Sequence, residues 1–437
     1  MMREKLSSRF GFLMLAAGSA VGLGNIWRFP YIAGRNGGAA FVLVYLAFLA
    51  LLGFPLLMVE LGIGRGAEMS LSAALGKLAP PRYSRFWRRA GAAAAAGCFV
   101  LMIYYTDVAG WLVKYTGDFA FGCVASDHAA AFSALVGDAP ASTFYMGFAV
   151  ALSAAICALG VVKGVERATK FMMAALFALL AVLAVRSAYL PGGGEGLAFY
   201  LKPDWSRFME HPWAAVSDAM GQAFFTLSLG IGSMTICGSY GSRGHSLVKE
   251  SAIVIAIDTA VAVLAGLVVF PACAAFGIPY TEGPGLVFVA LPAVFSQMPH
   301  GGAWGFLFFL FLSFAALTTV VAVFECLIAA LMDSLKMKRA AATALTAAGV
   351  FAFSLPCIFF PRAMDWEDFA VSRVWLPLGA LMQCVFAVNG SVGWGWENFR
   401  AAVSAGKGAA LPARSRMYFA FAIPALVAAV FLAGFFR

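Results

Sequence analysis

Polar and charged side chains stand at a few places where the surrounding sequence is apolar enough to lie in a membrane. The densest is residues 16–31, where Gly18, Ser19, Gly22, Gly24, Asn25 and Arg28 interrupt an apolar run extending from Phe10 to about Ala33. Glycines at that density let a helix unwind, and unwound backbone at membrane depth is tolerated only when it is buried in protein or lines a cavity. Freed carbonyls and hydroxyls form small cages of hard oxygen ligands, which suit a small cation. A second stretch, Gln222 to Ser233, repeats the peculiarity with Thr226, Ser228, Gly230 and Gly232. Asp258 lies in another apolar run, where a carboxylate is costly and needs a cation or a proton. The pair Thr318-Thr319, read alone, would merely satisfy helix carbonyls.

The elements that must position these residues are membrane helices. Of 437 residues, 62% are hydrophobic and only 12% charged, far from the balance of a soluble domain. Spans read at about 10–35, 39–64, 90–117, 142–160, 168–190, 214–240, 250–278, 303–335, 340–358, 372–394 and 415–436, each long enough to cross the hydrocarbon. The expected fold is therefore an all-α polytopic membrane protein of about 11 transmembrane helices. The net charge of +9 is distributed by side. Arg3, Lys5, Arg9, Arg65, Arg82, Arg88, Lys163, Lys249, Lys338 and Arg414 fall on one side, and Asp118, Asp138, Glu195, Glu282, Asp365 and Glu367 on the other. This positive-inside pattern places the N-terminus in the cytoplasm of a multi-pass plasma-membrane protein and removes the need for a nucleic-acid partner. Scattered histidines and seven span-embedded cysteines argue against a zinc site, and Cys123 alone in an outer loop makes no internal disulfide. The first span lacks a small-residue cleavage site and is not read as a removable signal peptide.

The interrupted spans are the first and the sixth. An offset of five helices makes the second set of five run opposite to the first, the inverted-repeat plan of secondary transporters, with the site where the two broken helices meet. On this reading residues 1–190 form one repeat, 191–394 the other, and 395–437 a linker with the eleventh helix. The connection at about 279–302, rich in glycine and proline with an apolar middle, reads equally as a lid or as a surface loop.

Taken together, Gly18 to Tyr31, Asn36-Gly37-Gly38, Glu60 to Arg65, Tyr104-Tyr105, Gln222 to Ser228 and Ala315 to Thr319 resemble the neurotransmitter:sodium symporter family, in particular its bacterial amino-acid transporters. The resemblance runs from Arg3 to about Trp396. It implies sodium-coupled symport of an amino acid by alternating access, with about two sodium ions. One would be held by the Ala20 carbonyl, Asn25, Thr226 and Asp258, the other by carbonyls of Gly18, Val21 and Ala315 with the hydroxyls of Thr318 and Thr319. Asp258 replaces the commoner asparagine. In chloride-dependent members an anion lies near positions matching Tyr45, Gln222, Thr226 and a serine, which here is Ala262. The Asp258 carboxylate, one turn earlier, is expected to substitute for that anion and make transport independent of chloride; protonation of Asp258 on the return step is compatible with the same role.

The resemblance also implies a substrate site. Gly22, an aspartate in monoamine carriers, leaves the substrate to bring its own carboxylate, which Leu23, Gly24 and Tyr105 would bind. The ammonium would sit among carbonyls of Ala20, Phe225 and Thr226 with Ser228. Leu101, Tyr105, Phe225, Ser228, Ile231, Thr319 and Val323 would line an apolar pocket beside Ser19, fitting a branched or aromatic side chain. Arg28 would pair with Asp368 as an outer gate over Phe225, and Arg3 with Asp333 near Tyr240 as an inner one. Glu60 is expected to brace the sixth helix, while Asp107 and Glu325 are intramembrane acids without an assigned role. No phosphate loop, dinucleotide fingerprint or nucleophile–base constellation argues for an enzyme, and no obligate protein partner is indicated. An amino-acid-sensing receptor or a channel on the same scaffold is the alternative.

Overall fold

A computed structural model describes residues 4–279 and 285–433, so the expected gate residue Arg3 lies outside the described residues. Glycine and proline punctuation divides the apolar sequence into helices, and these carry all the regular structure described apart from one bridge between His245 and Lys407. The helices used below are α1 (Arg9–Ala20), α2 (Gly24–Arg35), α3 (Ala39–Ala67), α4 (Pro81–Phe121), α5 (Ala139–Ala158), α6 (Val161–Ala188) and α7 (Pro212–Thr226). They continue with α8 (Ser233–Tyr240), α9 (Leu247–Ala275), α10 (Gly301–Leu335), α11 (Arg339–Phe359) and α12 (Arg362–Val388). A short helix (Trp396–Ser404) and a last helix over residues 418–433 complete the chain. Among the described residues, 8 helices are long and apolar enough to cross a membrane, and α1 with α2 forms a further span bent by 55°. All eleven spans expected from the sequence have helical counterparts, the sixth appearing as the separate pieces α7 and α8. The tenth begins about ten residues before its expected start, which puts Asp365, Glu367 and Asp368 on α12.

The largely buried α10 runs through the middle, packed on α1, α4, α5, α6 and α11. Where α8 meets α3 the backbones nearly touch. A Cβ on Gly64 would stand 1.9 Å from the Thr235 carbonyl oxygen, and one on Gly238 would stand 2.3 Å from that of Leu61. Small residues permit this approach, the usual means of close helix association in membranes. The connection before α10 is no surface loop. Its helical middle buries Leu286, Val287 and Phe288, and Phe288 packs edge-on to Trp27 at 6.3 Å and to Trp111 at 5.8 Å.

On the face bearing the N-terminal segment, residues 5–9 are tied to four other elements. Lys5 Nζ donates to Glu68 Oε1 at 2.9 Å and to the Ser239 carbonyl at 3.1 Å, and Leu6 N–H donates to the Tyr240 carbonyl at 3.2 Å. Ser7 bonds Glu166, and Arg9 pairs with the buried Glu250 at 2.9 Å. The Lys5 hydrogen bond holds the Glu68 carboxyl below the usual glutamate range. A depressed folded-state value adds stability above the unfolded pKa and loses it as pH falls through the folded one. We therefore expect Glu68→Gln to lower thermal stability at neutral pH by less than about 1 kcal/mol, the scale of an exposed pair. That difference should vanish in acid once Glu68 is protonated, as melting of both proteins across pH would show.

Candidate functional site

The site forms where the breaks of the two interrupted spans meet. The first break occurs because α1 ends at Val21 in extended conformation, after which a wide π turn over Gly24–Arg28 restarts the helix. The second runs through residues 227–232, with Ser228 at φ 49°, Gly230 at φ 97° and Gly232 at φ 92°. Left-handed backbone at a non-glycine residue is strained and persists only when its surroundings enforce it. Here Glu60 supplies part of that enforcement: its Oε1 accepts from the Gly230 N–H and, at 3.1 Å, from Gln383 Nε2, which also donates to the Gly230 carbonyl at 3.1 Å. The breaks are stitched together by Gln222 Nε2 donating to the Gly24 carbonyl at 2.8 Å and Ser228 Oγ donating to that of Ser19 at 3.3 Å.

Two oxygen-rich clusters flank this junction. In one, Asn25 Oδ1 accepts from the Gly22 N–H at 3.1 Å, while its Nδ2 faces Thr226 Oγ1 at 3.0 Å and Asp258 Oδ1 at 2.8 Å. Thr226 Oγ1 in turn lies 3.0 Å from Asp258 Oδ2, and all three side chains are buried. Nearby, Gln222 Oε1 is buried without a hydrogen-bond partner. In the other cluster, Thr319 Oγ1 lies 3.4 Å from the Gly18 carbonyl, 3.2 Å from that of Val21 and 3.4 Å from that of Ala315, and Thr318 Oγ1 donates to Ala315 at 2.9 Å. Both hydroxyls thus face carbonyls, and those of Gly18 and Val21 belong to a different helix.

Between the clusters lies a small cavity of about 20 Å³. Of the residues expected to hold a substrate, Ala20, Gly24, Leu101, Tyr105, Phe225, Ser228 and Thr319 line it, joined by Gly22 and by Val371 and Leu376 of α12. Ser19, Leu23, Thr226, Ile231 and Val323 do not line it. Ile231 and Val323 are buried in helix packing, and Leu23 faces a second cavity while its N–H donates to Tyr105 Oη at 3.2 Å. Val371 and Leu376 escaped sequence reasoning because they sit in an ordinary apolar helix; only its fold against α4 brings them here. A Cβ on Gly22 would stand 2.7 Å from both Tyr105 Oη and Thr319 Oγ1. Gly22→Ala is therefore expected to destabilise the fold by about 1–3 kcal/mol, the cost of overpacking, and to weaken ligand binding by displacing Tyr105 and Thr319 from the cavity wall. Equilibrium binding beside a thermal scan checks both.

The second cavity, about 250 Å³, opens on the face opposite the N-terminal segment and is lined by Trp27, Arg28, Tyr31, Tyr104, Asp365 and Asp368, among others. Phe225 and Tyr105 border both cavities and so partition them. The Arg28 guanidinium stacks 4.3 Å from the Phe225 ring centre and is not within ion-pair distance of Asp368. Asp368 Oδ1 instead accepts from Tyr104 Oη at 3.0 Å and Ser372 Oγ at 3.1 Å. The stacking favours the ring face as a cation partner and leaves the acid to the tyrosine.

On the N-terminal face, Tyr240 Oη donates to Glu325, which Arg339 holds with two hydrogen bonds at 2.7 and 2.8 Å. Asp333 Oδ2 accepts from the Ser70 N–H at 2.7 Å. Glu325 was legible as an intramembrane acid, but its partner lies 14 residues away on the next helix and only the fold reveals it.

A sequence profile of the Sodium:neurotransmitter symporter family matches residues 3–122 and 132–437. The chain is 35% identical over 407 residues to an uncharacterized sodium-dependent transporter of Haemophilus influenzae, covering 88% of both. It is also 35% identical over 395 residues to the uncharacterized sodium-dependent transporter YhdH of Bacillus subtilis, covering 87% of this chain and 86% of that one. Among solved structures, MhsT in complex with L-phenylalanine matches with a TM-score of 0.88 and 35% identity over 99% of this chain and 100% of the other. This chain is a member of the sodium:neurotransmitter symporter family, a membrane-embedded sodium-dependent transporter and not an enzyme.

Proposed function

We propose that the protein carries an amino acid with an apolar, branched or aromatic side chain together with about two sodium ions, by alternating access and independently of chloride. The observation that carries this reading is the convergence of both oxygen clusters on one small cavity at the helix breaks. Asn25, Thr226 and Asp258 would hold one sodium with the Ala20 carbonyl, and Thr318 and Thr319 the other with the carbonyls of Gly18, Val21 and Ala315. Tyr105, whose hydroxyl accepts from the Leu23 N–H, would bind the substrate carboxylate together with the amides of Leu23 and Gly24, and the remaining cavity lining is apolar apart from Ser228 and Thr319. The complex of the similar MhsT with L-phenylalanine supports an apolar amino acid as ligand.

Asp258 is fully buried beside Thr226, in the region where Tyr45 also lies, so its carboxylate, once ionised, would supply a negative charge there without an anion. The N-terminal face, with its excess of lysine and arginine, would be cytoplasmic in the plasma membrane. Residues 1–190 and 191–394 would be the two repeats, followed by the 395–437 segment, and the transporter would need no protein partner. Binding of labelled phenylalanine to the purified protein, competed by a panel of amino acids, tests the reading. Competition by apolar amino acids in sodium gluconate as strongly as in sodium chloride is expected. Binding that needs chloride would remove the role given to Asp258, and competition by charged amino acids alone would overturn the substrate class.

A further inference from the structure

A third cavity, of about 280 Å³, lies on the N-terminal face and shares no lining residue with the other two. Its wall comes from residues 6–9, from Phe12 of α1, from Arg65 near the end of α3, and from the connection that enters α9, as far as Glu250. Small-molecule sites begin at about 300 Å³, and a single water needs far less.

Two ionic side chains in this wall each keep one polar atom unused. Arg65 is 3% exposed. Its terminal nitrogens donate to the carbonyls of His245 at 2.9 Å, Ala405 at 3.3 Å and Ser242 at 3.0 Å. Its Nε–H is buried with no hydrogen-bond partner among the described residues. All three acceptors are backbone carbonyls, so these hydrogen bonds bring the guanidinium no counter-charge. Glu250 is 1% exposed, and its Oε1 takes Arg9 through Nε at 3.0 Å and Nη2 at 2.9 Å. Its Oε2 is buried and, among the described residues, has no hydrogen-bond partner. The other polar groups nearby are engaged or face solvent. Ser7 and Ser8 give their hydroxyls to Glu166, and the exposed Arg243 reaches Glu68 at 4.0 Å.

A ligand that completes the cavity must therefore bring a negative acceptor to Arg65 and a positive donor to Glu250, with an apolar body against Leu6 and Phe12. A simple anion would leave the Glu250 oxygen unmet and lie beside its charge, and a simple amine would do the same at Arg65. A zwitterion satisfies both with charge-assisted hydrogen bonds. We propose that this cavity binds a free α-amino acid, with its carboxylate on Arg65 Nε and its ammonium on Glu250 Oε2. That the amino acid is the transported one, bound again after release on this face, rests on the function proposed above; the match to a zwitterion does not.

Binding of labelled phenylalanine to the purified protein is measured in potassium gluconate without sodium, where the transport site lacks its coupling ion, and again with sodium. Two variants are compared with wild type. Glu250→Gln removes the charge that takes the ammonium. Gly244→Leu fills the cavity: Gly244 lines it, and a Cβ there would meet nothing nearer than Ser242 Oγ at 3.7 Å. Saturable sodium-free binding is expected in wild type, weakened at least about tenfold in both variants. Sodium-dependent binding in Gly244→Leu should stay within about twofold of wild type, as for distant sites. Neither phenylalaninamide, which lacks the carboxylate, nor phenylpropionate, which lacks the ammonium, should compete where unlabelled phenylalanine does. Gly244→Leu has room for its side chain and reads the site even if Glu250→Gln folds poorly. Absence of sodium-free binding in a preparation that binds phenylalanine with sodium overturns this inference and leaves the transport reading standing. Sodium-free binding unchanged in Gly244→Leu puts the ligand elsewhere and overturns it too. So does competition by phenylpropionate or inorganic phosphate as strong as that by phenylalanine, the mark of a plain anion site.

Discussion

Asn25→Ala is expected to abolish sodium-dependent uptake. The Asn25 amide joins three elements: it accepts from Gly22 N–H at the first break and faces Thr226 of α7 and Asp258 of α9 through its nitrogen. Alanine removes one oxygen ligand from the proposed ion cage, and it leaves the Gly22 amide and the Asp258 carboxylate each short of a partner where water does not reach. Each buried group so orphaned costs about 1–3 kcal/mol, more when charged. Together these effects should raise the sodium concentration for half-maximal binding by at least about a hundredfold, which corresponds to about 2.8 kcal/mol. Titration of sodium against labelled substrate binding measures it. An alanine variant with wild-type sodium dependence would remove Asn25 from the ion site.

Arg339→Ala should have its largest effect on stability. Glu325 has 1% of its side chain exposed, and its charge is met by the two guanidinium hydrogen bonds and by Tyr240 Oη. Removing one partner of a buried pair leaves an uncompensated charge, and such changes cost about 3–5 kcal/mol. Tyr240, at the end of α8, keeps Glu325 as its acceptor, so the loss falls on the carboxylate's charge. We expect a lowered melting temperature, with partial recovery in Arg339→Ala/Glu325→Gln because the double variant buries no unpaired charge. A double variant no more stable than Arg339→Ala would show that charge is not the cause.

Much of the site was legible in the sequence because its chemistry conflicts with its surroundings. Glycines, Asn25 and Arg28 inside an apolar span, or Asp258 in another, are too costly to be incidental. The two breaks could be placed from Gly18–Gly24 and Thr226–Gly232 because glycine and hydroxyl residues mark where a helix gives way. Contacts that depend on rotation and tilt between helices were not legible. Nothing in sequence spacing says that Arg28 stacks on Phe225 while Tyr104 takes Asp368, that Val371 and Leu376 close the small cavity, or that Gln383 shares Glu60 with Gly230. The inward packing of Phe288 was likewise open, since an apolar loop middle reads equally as lid or surface.

The central claim, that sodium entering these clusters drives an apolar amino acid across the membrane, is tested most directly in proteoliposomes. Uptake of labelled phenylalanine, leucine and tryptophan is followed with sodium outside and potassium inside, and again with potassium on both sides. Accumulation above the external concentration of at least one of them, only with the sodium gradient and lost in Asn25→Ala and Thr318→Ala, is the predicted result. Equilibration without accumulation would indicate a channel, and sodium-dependent binding with no uptake a sensor; either would contradict the account.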